Sequence, residues 1–110
     1  MSNPTVSIIV TNYNYAKFLH RCLRSCLSQK FLEYEVILVD DCSTDNSIDI
    51  TKPFLESNNN FKLIKNTENL GVARSANLAI NASRGQFFVR VDSDDFIVSN
   101  MCYIMYKFLE

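Results

Sequence analysis

Several residue types that common functional sites require are scarce in this chain. Its 110 residues include one histidine, two glycines and four cysteines, and no two cysteines form a Cys-x-x-Cys pair. A zinc site or a disulfide framework is therefore not expected, and the cysteines are expected to be reduced and packed in the core. Free thiols of this kind favour a reducing compartment.

Excess charge and long apolar stretches are also absent from the sequence. A net charge of −1 gives no broad attraction to nucleic acid, so no nucleic-acid partner is expected. The amino terminus has no basic flank followed by an apolar stretch, and no apolar run approaches the roughly 18 residues of a membrane span. We therefore expect a protein of the cytoplasm, or one held at the cytoplasmic face of a membrane by regions outside this sequence.

Strand-like apolar runs and helix-like amphipathic runs alternate along the chain. Strands are predicted over residues 5–11, 35–40, 61–65 and 86–91. Helices are predicted over residues 18–27, 44–55, 70–82 and 99–109. This alternation predicts one α/β domain, in which a mostly parallel sheet has helices on both faces.

Local signals refine the helix boundaries. Ser43 or Thr44 is expected to cap the second helix, and Pro53 to bend or shorten it. Gly85 is expected to close the third helix from the position just after its end.

Carboxylates follow two of the predicted strands. Asp40 ends the second strand and Asp41 follows it, and Asp92, Asp94 and Asp95 come after the last strand. Carboxylates this close repel one another, so a cation among them is favourable, and a divalent metal suits such oxygen ligands. Ligands of open α/β sheets bind at the carboxyl ends of the strands. Both acidic groups are therefore expected along the edge of the sheet that these strand ends form.

Four motifs in order resemble those of the family 2 glycosyltransferases of GT-A fold. They cover residues 6–14, 39–45, 69–77 and 92–95, and the resemblance extends over essentially the whole chain. It implies a Rossmann-like GT-A nucleotide-binding half. Residues 1–110 are then a single truncated domain, because the family places its catalytic base and acceptor-binding residues after the metal motif.

The resemblance also implies a site for a nucleotide-diphosphate sugar. Tyr13 would stack on or pack beside the base, Asp41 would accept a hydrogen bond from a pyrimidine ring, and Arg74 could approach the diphosphate. The full implied nucleotide-binding set is Thr11, Tyr13, Asp40, Asp41, Arg74, Asn77 and Ser93. The implied metal ligands for Mg²⁺ or Mn²⁺ are Asp92, Asp94 and Asp95, and which of the three contacts the metal is left open.

The implied reaction is transfer of a sugar, expected to come from a UDP-sugar, to a hydroxyl of a polysaccharide or lipid-linked acceptor. The metal would neutralise charge on the diphosphate leaving group. The fragment alone is expected to lack efficient activity, and its open sheet edge and apolar last helix are expected to favour a homodimer. Cys42 stands where the family commonly has glycine, which suggests a left-handed backbone there.

Other protein classes fit less well. A nucleotidyltransferase of related fold would carry a Gly-rich, basic loop after the first strand, where this chain has residues 12–15, Asn-Tyr-Asn-Tyr. A receiver domain would have its acidic pair after the first strand, and an EF-hand would have a ligand in place of Phe96. A nucleotide-binding fragment without activity remains an alternative.

Overall fold

A computed structural model of the protein describes residues 3–109 as strictly alternating strands and helices. The strands are β1 (Val6–Asn12), β2 (Tyr34–Asp40), β3 (Phe61–Lys65) and β4 (Phe87–Asp92). The helices are α1 (Ala16–Cys26), α2 (Ser47–Ser57), α3 (Val72–Ala82) and α4 (Met101–Leu109). Within the described range, no helix combines the length and apolar character needed to cross a membrane.

The four strands form one parallel sheet in the order β3-β2-β1-β4. The first three strands progress in one direction, and the fourth pairs on the other side of β1. In the register, Asn12 lies opposite Asp40 and Thr11 lies opposite Asp92. The predicted parallel α/β sheet is therefore confirmed, and both acidic groups flank the carboxyl end of β1, where the strand order reverses.

Successive strand residues point to opposite faces, and each face has its own apolar core. One core contains Ile8 and Val10 of β1 and is covered by α1, α2 and α4. The other contains Ile9 of β1 and is covered by α3 through Ala79. The prediction of helices on both faces is confirmed. In the described range α3 is the only helix on its face, and Phe88 on β4 is left 52% exposed.

The start of α2 differs from the prediction. The helix begins at Ser47, where the Asp45 carboxylate accepts hydrogen bonds from the Ser47 backbone N–H at 3.0 Å and from its hydroxyl at 2.6 Å. Capping by Ser43 or Thr44 was therefore wrong, because Asp45 is the residue close enough to the first turn. The helix continues through Ser57, so Pro53 lies inside α2 and does not end it.

The role of Gly85 also differs from the prediction. Helix α3 ends at Ala82 and is followed by Ser83 in an extended conformation, so Gly85 is too far along the chain to close it. The Gly85 N–H instead donates to Ser7 Oγ at 2.9 Å, and a Cβ atom at this position would lie 2.6 Å from the same oxygen. Glycine is needed here because the backbone passes so close to β1.

Candidate nucleotide and metal site

A cavity of about 690 Å³ opens at the carboxyl end of the sheet, where β1 lies between the two acidic strand ends. Its size falls in the range of small-molecule sites, and its place matches the point where open α/β sheets bind ligands. The lining residues are Thr11, Asn12, Tyr13, Asn14, Tyr15, Asp41, Val72, Ser75, Arg90, Asp92, Ser93 and Asp94.

Asp41 joins the end of β2 to the start of α3. Its carboxylate accepts hydrogen bonds from the backbone N–H groups of Leu70 and Gly71, at 2.7 and 3.0 Å, and from Asn66 Nδ2 at 2.9 Å. Burial alone would raise the pKa of Asp41, but these hydrogen bonds outweigh it and hold the pKa below its ordinary value. The cavity therefore has an ionised carboxylate in a fixed position.

Asp40 has a different position from Asp41. It is buried and is not among the residues that line the cavity. Its carboxylate accepts hydrogen bonds from Asn12 Nδ2 at 2.9 Å, from the Ser43 N–H at 3.0 Å and from Ser43 Oγ at 2.7 Å. These contacts hold the loop after β2 against the end of β1, and thereby fix the backbone that carries Asp41.

The loop after β1 presents an aromatic ring to the cavity. Tyr13 is 44% exposed on the cavity wall. The next residue, Asn14, has a positive φ of 57° and accepts hydrogen bonds on Oδ1 from the N–H groups of Thr44 and Asp45, at 2.8 and 3.3 Å. The loop that carries Tyr13 is therefore fastened to the loop after β2.

The first turn of α3 reaches the cavity through Val72 and Ser75. Arg74 and Asn77 lie on the exposed side of the same helix and are not among the lining residues. The structure thus brings Thr11, Tyr13 and Asp41 together, and the nucleotide roles of Arg74 and Asn77 stay predictions.

The carboxylates after β4 converge in a tight turn. The Asp95 N–H donates to the Asp92 carbonyl at 2.9 Å, and the ligand oxygens of Asp92, Asp94 and Asp95 lie within 4.8 Å of one another. All three side chains are exposed. Ser93 between them is buried, and its Oγ has no hydrogen-bond partner among residues 3–109. The turn therefore offers several hard oxygen atoms, of the type that Mg²⁺ and Mn²⁺ prefer.

Arg90 is a cavity residue that the motifs did not identify. Its guanidinium Nη2 lies 3.8 Å from Asp92 Oδ1 on the cavity wall. The available signal was the period of the strand, since residues two apart on β4 share a face and Arg90 precedes Asp92 by two. The site therefore contains a cation beside its carboxylates.

Comparison with known proteins is consistent with this geometry. The chain is 35% identical over 102 residues to glycosyltransferase GlyG of Streptococcus pneumoniae, covering 93% of this chain and 34% of that protein. It is 33% identical to TarS of S. aureus in complex with UDP-GlcNAc, with a TM-score of 0.87, covering 96% of this chain and 31% of that one. Further curated relatives include chondroitin and hyaluronan synthases.

A second solved structure has a different nucleotide. The mannosyltransferase PcManGT from Pyrobaculum calidifontis, in complex with GDP-Man and Mn²⁺, is 28% identical, with a TM-score of 0.78. The match covers 87% of this chain and 29% of that chain. The chain thus spans about a third of the length of GlyG and of the two solved chains, and 10% of the length of the Pasteurella multocida chondroitin and hyaluronan synthases. The sequence model of glycosyl transferase family 2 matches residues 7–110, and the chain belongs to this family.

Proposed function

We propose that residues 1–110 form the donor-binding domain of an inverting glycosyltransferase that uses a nucleotide-diphosphate sugar. The observation that carries the proposal is the content of one cavity, which contains an aromatic ring, a fixed carboxylate and a group of converging carboxylates. The aromatic ring and the fixed carboxylate suit a nucleotide base, and the converging carboxylates suit a divalent ion bound to the charged diphosphate.

The base is proposed to bind at Tyr13 and Asp41. The exposed Tyr13 ring offers a surface for stacking, and base–aromatic stacking contributes about 1–3 kcal/mol. The Asp41 carboxylate is held by three hydrogen bonds from its own chain and lines the cavity, so it can accept a further bond from a pyrimidine N–H. Thr11 and Asp40 are proposed to support this end.

The diphosphate is proposed to bind at the carboxylate cluster. The oxygen donors of Asp92, Asp94 and Asp95 fit a divalent ion such as Mg²⁺ or Mn²⁺, which when bound would neutralise the charge of the leaving diphosphate. The unpaired hydroxyl of buried Ser93 and the guanidinium of Arg90 are available to donate to the ribose or to phosphate oxygens.

A UDP-sugar is the proposed donor. The uridine assignment is supported by the more similar of the two solved structures, at 33% against 28% identity. The proposed acceptor is a hydroxyl of a polysaccharide or lipid-linked sugar, and the base that deprotonates it is proposed to lie outside residues 1–110. By itself the domain is expected to bind donor without efficient transfer.

The cytoplasm, or its side of a membrane, is the proposed location of the reaction. This proposal is supported by the four free cysteines, because free thiols are typical of a reducing compartment.

The test is calorimetric titration of UDP into the protein, first with Mn²⁺ and then with EDTA. We expect binding that depends on the metal and is weakened at least about tenfold by Asp94→Ala, since a metal ligand is lost. The matched control is Asp49→Ala, which removes an exposed carboxylate on α2 that pairs with Lys52. Equal UDP affinity in Mn²⁺ and in EDTA would show that the carboxylate cluster does not contribute to nucleotide binding through a metal ion.

A further inference from the structure

The loop that carries the metal motif is held in place by residues from elsewhere in the chain. Residues 93–100, between β4 and α4, have no helix or strand conformation, so their backbone polar groups need partners elsewhere. Many of these partners are supplied by α1 and the turn that follows it.

Arg21 contacts the motif directly. Its guanidinium Nη2 donates to the Asp94 carbonyl at 3.3 Å, and the same group lies over the Phe96 ring, 4.4 Å from its centroid. A planar guanidinium can stack and donate at the same time, which a lysine ammonium cannot do equally well. Arg21 thus fixes the backbone at Asp94 and at the second residue after it.

Ser25 and Gln29 fix the rest of the loop. Ser25 Oγ accepts the Ile97 N–H at 3.1 Å. Gln29 Nε2 donates to the Val98 carbonyl at 2.9 Å, and its Oε1 accepts the Cys102 N–H at 3.0 Å, in the first turn of α4. Gln29 is only 8% exposed, so these hydrogen bonds are shielded from water.

The three side chains form one row behind the site. Arg21, Ser25 and Gln29 are spaced four residues apart, so they follow one face of α1 and its extension. None of the three lines the cavity. The hydrogen bonds that they make with the motif loop all go to its backbone, whereas the motif carboxylates are exposed to solvent.

We propose that Arg21, Ser25 and Gln29 are positioning residues that hold Asp92, Asp94 and Asp95 together for a divalent ion. The inference rests on the proposed function. Like charges within 4.8 Å repel, and a free loop would relax to separate them. Hydrogen bonds from α1 and from the turn after it oppose that relaxation, so the folded chain holds the carboxylates close together before an ion binds.

The experiment measures Mn²⁺ affinity by electron paramagnetic resonance, with and without UDP. Gln29→Leu keeps a similar side-chain size and removes the hydrogen bonds to Val98 and Cys102, and also one to the Ser25 carbonyl at 3.2 Å. It is expected to weaken Mn²⁺ binding about tenfold, as the loss of residues that support metal ligands commonly does. Arg21→Ala, at an exposed position, is expected to act in the same direction without threatening the fold. Arg21→Lys should recover part of the affinity, because a donor returns without the stacking plane.

The control is Asn60→Leu. Asn60 is a half-buried amide that donates to the Tyr34 carbonyl at 3.1 Å, at the opposite end of the sheet. It should lose stability as Gln29→Leu does and bind Mn²⁺ like the wild type. A second readout needs no metal: amide exchange at Cys102, whose N–H loses its Gln29 acceptor, should accelerate in Gln29→Leu and not in Asn60→Leu.

The outcomes separate the two proposals. Wild-type protein that binds UDP and Mn²⁺, with Gln29→Leu and Arg21→Ala binding the ion equally well, overturns the inference alone. Wild-type protein that binds no Mn²⁺ even with UDP overturns the proposed function, and this inference with it. Weaker binding in both variants, with Asn60→Leu unchanged, supports the positioning role.

Discussion

Two residues beside the site, Asn14 and Cys42, have left-handed backbone conformations, with φ of 57° and 63°. Asparagine tolerates this region, and Asn14 also uses its Oδ1 to hold the loop after β2. A cysteine side chain does not offset the cost of the left-handed conformation in this way. The sequence predicted a left-handed turn at Cys42, and its positive φ confirms it.

The two positions are expected to respond oppositely to glycine. Cys42→Gly relieves left-handed strain of about 1–2 kcal/mol and loses part of this to the greater freedom of the unfolded chain, so the free energy of unfolding should rise by about 0.5 kcal/mol. Asn14→Gly should lower it by about 1 kcal/mol, because hydrogen bonds to Thr44 and Asp45 are lost. Urea unfolding measures both, and a destabilised Cys42→Gly would contradict the strain argument.

Individual site residues could be predicted where a sequence motif contains side chains with the chemistry that a ligand requires. The carboxylates after β4 could be identified because hard ligands follow a strand end, and they do converge. Arg21, Ser25 and Gln29 could not, because they contact loop residues about 70 positions later in the chain. In the sequence alone, polar residues at this spacing are typical of any solvent-exposed helix face.

At the scale of elements, Asp41 couples β2 to α3. Its pKa in the folded protein is held below the ordinary value of 3.8, despite burial, by hydrogen bonds that include those from Leu70 and Gly71. A group with a lowered folded pKa contributes stability above its unfolded pKa, and this contribution is lost as the pH falls through the folded pKa. Asp45 and Glu35 shift in the same direction, since hydrogen bonds outweigh burial at both.

Stability should therefore decline as the pH falls below about 4. Asp41→Asn should cost about 2 kcal/mol at pH 7, because hydrogen bonds to a charged acceptor weaken. The cost should shrink towards pH 3, because below about pH 4 the unfolded wild-type chain binds a proton at Asp41 that the folded protein binds less readily. Urea unfolding of both proteins at the two pH values measures this. An equal loss at pH 7 and pH 3 would contradict the assignment of charge to Asp41.

Most elements were predictable from periodicity, and some of their ends were not. Residues 61–65 form β3 as predicted, because a strand bounded by asparagine-rich turn residues has few alternatives. The predicted cap of α2 was wrong because Asp45, two residues before Ser47, accepts its N–H, whereas Ser43 donates to Asp40. Gly85 was misread because its requirement comes from β1, which is distant in sequence.

At the scale of the whole molecule, the outer strand β4 and helix α4 expose apolar surface. Ile104 and Phe108 of α4 are 56% and 91% exposed, and Phe88 of β4 is 52% exposed. In the described residues β4 pairs on one side only, with β1. An unpaired strand edge beside exposed apolar groups favours association with another protein surface. In purified protein we expect a second copy of this chain to cover this surface.

Sedimentation should show a monomer–dimer equilibrium that depends on concentration. Phe108→Ser should weaken the dimer at least about tenfold, since burying a phenylalanine contributes about 1.5–3 kcal/mol. Leu55→Ser, on α2, is the matched control and should leave the equilibrium unchanged. A wild-type protein that remains monomeric at every concentration would refute the expected homodimer.

The parallel α/β architecture followed from the alternation of elements alone. The strand order did not, because the return of β4 to the far side of β1 depends on packing between residues far apart in sequence. That return brings the carboxyl ends of β2 and β4 to either side of β1, and so creates the cavity. The site therefore depends on the topology as much as on its motifs.

The most direct test of the central claim is nuclear magnetic resonance of the protein with UDP, when Mn²⁺ replaces Mg²⁺. Paramagnetic Mn²⁺ broadens the signals of nearby nuclei, so it reports where the ion binds. We expect the broadening to centre on residues 92–95 and to extend to the cavity wall at Thr11 and Ser75. Broadening that is centred elsewhere, or that does not change when UDP is present, would contradict a shared nucleotide and metal site at the carboxyl end of the sheet.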